Sequence, residues 1–94
     1  MLYIVAYDLR TQQKDYSAFH GALNSLGECR PLLLNVCALR RTSTTINSPN
    51  QIAGYLAQYV GGIDRVLVYD VTNRRPDGLM TNDVWEWLNA RQNG

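Results

Sequence analysis

Three stretches of this chain are apolar on both sides of a two-residue repeat, and that restricts what it can fold into. In LYIVAYDL, Leu2 to Leu9, one side carries Tyr3, Val5, Tyr7 and Leu9, and the other carries Leu2, Ile4, Ala6 and Asp8. Residues 28–41, ECRPLLLNVCALRR, and residues 64–71, DRVLVYDV, have the same two-sided character. Alternate side chains of a strand point to opposite faces, so strands of this kind need cover on both.

The segments between them read as helices. After the loop RTQQK, Asp15 has the chemistry of a helix cap, and Tyr16, Phe19, Leu23 and Leu26 recur at helical spacing before Gly27. Residues 28–41 are long for one strand and divide into two at a bend near Leu33 to Asn35. Pro31 belongs at a sheet edge because it cannot donate to a ladder. Ser48 caps a second helix with Pro49 in its first turn, and Ile52, Tyr55, Leu56, Tyr59 and Val60 form its apolar stripe. The turn-forming TNRRPDG precedes a short last helix, about residues 82–91, capped by Asn82 or Thr81. Trp87 lies off the face shared by Val84, Trp85 and Leu88 and needs a surface of its own.

The order strand, helix, strand, strand, helix, strand and tail helix predicts an α+β, ferredoxin-like βαββαβ domain over residues 1–94. It has a four-stranded antiparallel sheet with two helices on one face and a short C-terminal helix. Two helices cover one face only. A second apolar face of several hundred Å² is unusual on a soluble monomer. The expected cover is a second copy of the chain, packed sheet to sheet, with the tail helix at or over its rim. Asp8 shares that face, so a two-fold axis could bring two Asp8 carboxylates together. A proton or a divalent cation would relieve their repulsion.

Composition limits the partners. Nine basic and eight acidic residues give a net charge of +1, which argues against a surface coated for nucleic acid and leaves room for local basic patches. No apolar run approaches the ~20 residues of a membrane span, and Asp8 and Arg10 interrupt the N-terminal apolar segment, so a cytoplasmic protein is expected. Cys29 and Cys37 lack metal-ligand spacing and read as apolar fillers that could face each other across a hairpin. His20, one position off its helix stripe, is expected to be exposed or half-buried.

YIVAYDLR resembles the first strand of small CRISPR-associated ferredoxin-like dimers, the second CRISPR-associated protein of the adaptation complex, whose first strand also ends in Tyr-Asp. YDLRTQQKDY together with DRVLVYDV resembles Cas-like, SinR-family relatives, and virulence-associated protein D ribonucleases are similar in plan. The likeness spans about residues 1 to 72. It implies a homodimer in a nucleic-acid context, with Asp8 as the Mg²⁺ ligand of a phosphodiesterase. Where those proteins carry Ser-Val-Phe or a similar triplet, this chain has Asn35-Val36-Cys37.

Two further sets complete the candidate site. Arg10 with Lys14, Arg40 with Arg41, and Arg74 with Arg75 form three basic clusters. With the first and third strands taken as parallel neighbours, the first two clusters emerge beside Asp8 and form a phosphate-binding rim for RNA or DNA. Tyr3, Tyr7 and Tyr69 are assigned to the helix-facing core, Asp64 and Arg65 to the start of the last strand as a pair, and Asp70 to a weaker metal position. The leading expectation is a scaffold or interaction module near nucleic acid. The alternatives are a metal-dependent endoribonuclease working through Asp8, and a small protein-binding regulator.

Overall fold

The chain runs β1 (Leu2–Asp8), α1 (Ser17–Ser25), β2 (Glu28–Leu33), β3 (Val36–Arg40), α2 (Pro49–Ala57), β4 (Arg65–Asp70) and α3 (Asn82–Arg91). This computed structural model describes residues 1–74 and 77–91. The four strands form one sheet in the order β2-β3-β1-β4, with every neighbouring pair antiparallel. The expected ferredoxin-like arrangement is therefore present, with its tail helix.

One expectation is overturned. β1 and β3 are antiparallel, not parallel: Leu2 lies opposite Arg40 and Ala6 opposite Val36. The reason is topological. A strand–helix–strand crossover keeps β1 and β2 parallel, and the tight β2–β3 turn then reverses β3.

The first face of the sheet packs on α1 and α2. Tyr3, Val5, Cys37, Leu39 and Val68 meet Phe19, Leu23, Leu26, Ile52 and Leu56 in one cluster. Helices of nine residues are marginal alone, so this burial, roughly 1.5–3 kcal/mol for each large side chain, is what holds them. Local signals set their ends. The Ser48 hydroxyl accepts from Gln51 N, with Pro49 at the first position of α2. Asp15 Oδ1 accepts from Ser17 N at 2.9 Å, although Tyr16 occupies the cap position of α1. Gly27 permits the chain to turn into β2, because a Cβ there would stand 2.1 Å from the Arg40 carbonyl oxygen.

The second face is where the structure adds most. Helix α3 lies across it and buries Val84 and Leu88 against Leu2 and Ala38, with Ile4, Leu32, Met80, Trp85 and Trp87 around them. Two ion pairs hold α3 to the edge strand β2: Arg30 with Asp83 near its start, and Arg91 with Glu28 at its end. The Arg91 guanidinium also stacks 4.3 Å from the Trp87 ring centre, which gives that ring its surface. Much of the cover expected from a second copy thus comes from the chain's own tail helix. Tyr69 is a further correction. It does not join the helix-facing core; Val66 and Val68 take that side of β4, and Tyr69 is 64% exposed on the second face.

Candidate functional site

Helix α3 leaves one end of the second face open. There β1 and β4 place Ala6 opposite Leu67 and Asp8 opposite Arg65, while β3 places Val36 opposite Ala6. These residues, with Asn35, line an open hollow of about 470 Å³. Leu67, like Tyr69, is 64% exposed beside it. A second apolar hollow, about 460 Å³, lies between Leu32 and Leu33 of β2 and Leu79 to Thr81 ahead of α3, bordered by Val84. The hairpin tip adds Leu34 at 92% exposure.

Asp8 sits at the polar end of the first hollow. Its Oδ2 lies 2.8 Å from Arg10 Nε, and both side chains are well exposed. The pairing is a surface ion pair between near neighbours in sequence, of the kind that contributes about 0–1 kcal/mol. Among the described residues no group of three or more His, Cys, Asp or Glu is placed to hold a metal ion. Asp70 cannot join Asp8, since it lies opposite Tyr3 at the other end of β1, and its Oδ1 accepts from Thr72 N. A Mg²⁺ site on Asp8 therefore needs oxygen ligands from outside this chain, whether a second copy, water or a bound phosphate.

The basic residues divide between the two ends of the sheet. Arg10 and Lys14 follow β1 at the Asp8 end, and Arg65 lies beside them through its register with Asp8. Lys14 Nζ stands 5.9 Å from the Tyr16 ring centre. Arg40 and Arg41 lie at the opposite end, about 20 Å away along β1. Both are engaged there. Arg40 Nη1 contacts Glu28 Oε1 at 3.1 Å. Arg41 donates to the carbonyls of Leu26, Thr45 and Ile46, tying α1, β3 and the approach to α2 together. The expected shared rim of Arg10, Lys14, Arg40 and Arg41 does not form within one chain. Arg74 lies in the loop after β4, and Arg75 lies outside the described residues.

Asp64 is the residue that the sequence reading undervalued. It is 6% exposed and does not pair with the Arg65 side chain, which donates instead to the carbonyls of Gly62 and Asp64. Asp64 Oδ1 accepts from Arg10 N at 2.7 Å, Thr11 N at 3.0 Å, Thr11 Oγ1 at 3.1 Å and Tyr16 Oη at 2.8 Å. Asp64 Oδ2 accepts from Gly61 N at 2.7 Å. Burial alone would raise its pKa, but these donors outweigh it and hold the carboxyl far below the usual range. The group is a staple that fixes the loop carrying Arg10 against the entry to β4. A sequence signal exists in Gly61-Gly62-Ile63-Asp64, a turn that can offer amides to its own carboxylate.

The other candidates have ordinary roles. His20 is exposed and meets Tyr7 and Phe19 edge-on at 5.7 and 5.4 Å. Cys29 and Cys37 are both free thiols, in contact across β2 and β3. The hydrogen bond that the Cys37 thiol donates to the Cys29 sulfur, reinforced by burial, pushes the Cys37 thiol up, and the same contact lowers Cys29. Among the described residues no helix is long and apolar enough to cross a membrane. No protein-family model matches the sequence, and neither a curated protein nor a solved structure matches it.

Proposed function

We propose that this protein is a homodimeric interaction module or scaffold of the Cas-like kind, working against nucleic acid. The observation that carries the reading is the unequal cover of the second sheet face. Part of it is sealed by α3, while Leu67 stands exposed beside Ala6, and Tyr69 beside Ile4. Large apolar side chains in one patch mark a contact surface, and a second copy is its simplest occupant. The Asp8 end brings Arg10, Lys14 and Arg65 beside this surface, which supports a phosphate-bearing partner. The likeness of YIVAYDLR to the CRISPR-associated dimers points the same way.

Light scattering tests the first half of the proposal. The expected mass is twice the 10.6 kDa of one chain; a single-chain mass at about 100 μM chain would refute the dimer. Filter binding to single-stranded RNA and to duplex DNA tests the second half. Affinity should fall on raising salt, and an Arg10→Ala/Lys14→Ala double variant should bind at least ~10-fold more weakly. No binding at low salt would leave a protein-binding role in its place. Mg²⁺-dependent cleavage of RNA that disappears in Asp8→Ala would replace the scaffold with an endoribonuclease.

A further inference from the structure

The two edges of the sheet are not alike, and the difference identifies how two copies meet. On β1, Tyr7 N donates to Asn35 O on the β3 side, and Arg41 N donates to Met1 O. On the β4 side, Val71 N donates to Leu2 O. Antiparallel ladders alternate, so odd residues of β1 bond toward β3 and even residues toward β4. By the register of Ile4 with Tyr69 and Ala6 with Leu67, residues 65, 67 and 69 of β4 turn their backbone groups inward. Val66, Val68 and Asp70 turn theirs outward along the open edge.

The other edge is closed to a partner strand. The same alternation places residues 29 and 31 outward on β2, and position 31 is a proline with no N–H to give. The β2 register is also irregular between Pro31 and Leu33, and its Glu28 and Arg30 side chains are held by α3. Short, charged, kinked or proline-bearing edges are how sheets refuse further strands. β4 has none of these devices along Val66 to Tyr69, and it displays Leu67 and Tyr69.

We infer that two copies join antiparallel along β4, about a two-fold axis at Val68, to give one continuous eight-stranded sheet. This rests on the dimeric reading above. Three observations select the register. Outward-facing Val66, Val68 and Asp70 meet Asp70, Val68 and Val66 of the other copy, forming up to about six backbone hydrogen bonds. Leu67 falls opposite the partner copy's Tyr69, and the reverse, in the closer non-hydrogen-bonded pairs, so the exposed aromatic and the exposed leucine cover each other. A register shifted to put Leu67 opposite itself would leave Tyr69 facing Arg65 and would make fewer backbone bonds. Stacking face to face is disfavoured by α3, whose outer surface carries exposed Glu86 and Asn89 that a second sheet would desolvate.

Cysteine cross-linking tests the geometry. In a Cys29→Ser/Cys37→Ala background, the added pair Leu67→Cys/Tyr69→Cys should give a covalent dimer on mild air oxidation, seen on a non-reducing gel. Leu67→Cys alone should cross-link at least ~10-fold less, because its counterpart is residue 69. Equal cross-linking by Leu67→Cys alone would overturn this register. A background chain that is dimeric by light scattering while the double variant stays uncrosslinked would overturn edge pairing and leave the dimer standing. A background chain that is monomeric would overturn both. Val66→Pro removes an outward donor without touching the β1 ladder. With unchanged far-ultraviolet circular dichroism, it should be monomeric; a dimeric Val66→Pro chain would also overturn edge pairing.

Discussion

Asp64 shows how one side chain can fix a whole corner of a small domain. Its carboxylate gathers donors from the loop after β1, from Tyr16 and from the turn before β4. Its pKa is depressed in the folded state, so its contribution is complete above the unfolded carboxylate value of about 3.9 and is lost as pH falls below it. Acid unfolding of the wild type should therefore steepen below about pH 4, and Asp64→Asn should lose much of that steepness. The variant should also melt on the order of 10 °C lower at neutral pH, as followed by circular dichroism. The role could not be read from DRVLVYDV alone, since a carboxylate ahead of a strand is as readily paired with its arginine neighbour. Arg41 was obscure for a related reason: sequence shows its charge but not the three carbonyls that occupy it. Asp8, by contrast, did what its nearness to Arg10 suggests.

Among the elements, both main helices and the tail helix were legible because each has an apolar face at helical spacing, and the β2–β3 bend because residues 28–41 are too long for one strand. Which side of β4 faces the helices was not. DRVLVYDV alternates two apolar sets, and nothing local decides between Val66 with Val68 and Leu67 with Tyr69. The structure puts the slimmer valines under α2 and leaves the bulkier pair outside. The direction of β3 was available from topology, since a hairpin after a crossover must reverse. Helix α3 is the least independent element, with two buried side chains and two exposed ion pairs holding it. Leu88→Ala should cost about 2–4 kcal/mol and release its grip on Leu2 and Ala38. The sequence has only two tryptophans, Trp85 and Trp87, both on this helix, so the change can be followed directly. Their emission should shift to the red in the variant before the rest of the domain unfolds. Arg30→Ala should cost less than about 1 kcal/mol, because its partner Asp83 is solvent-exposed.

At the level of the whole molecule, association and stability are one equilibrium. If copies join along β4, raising the chain concentration 100-fold should lift the melting midpoint by roughly 5–10 °C, measured by calorimetry. A Val66→Pro chain should melt at a midpoint independent of concentration. The sheet order carries a last consequence, for biosynthesis. β1 is made first, yet its two neighbours are β3 and β4, and β4 begins about sixty residues later. A nascent chain therefore carries a greasy ribbon, sticky on both sides, that stays half-paired until β4 has been made. Long-range pairing of this kind folds slowly and leaves time for mispairing. Ribosome-associated chaperones that shield extended apolar segments should accordingly raise its soluble yield, and slowing translation after β3 should lower it.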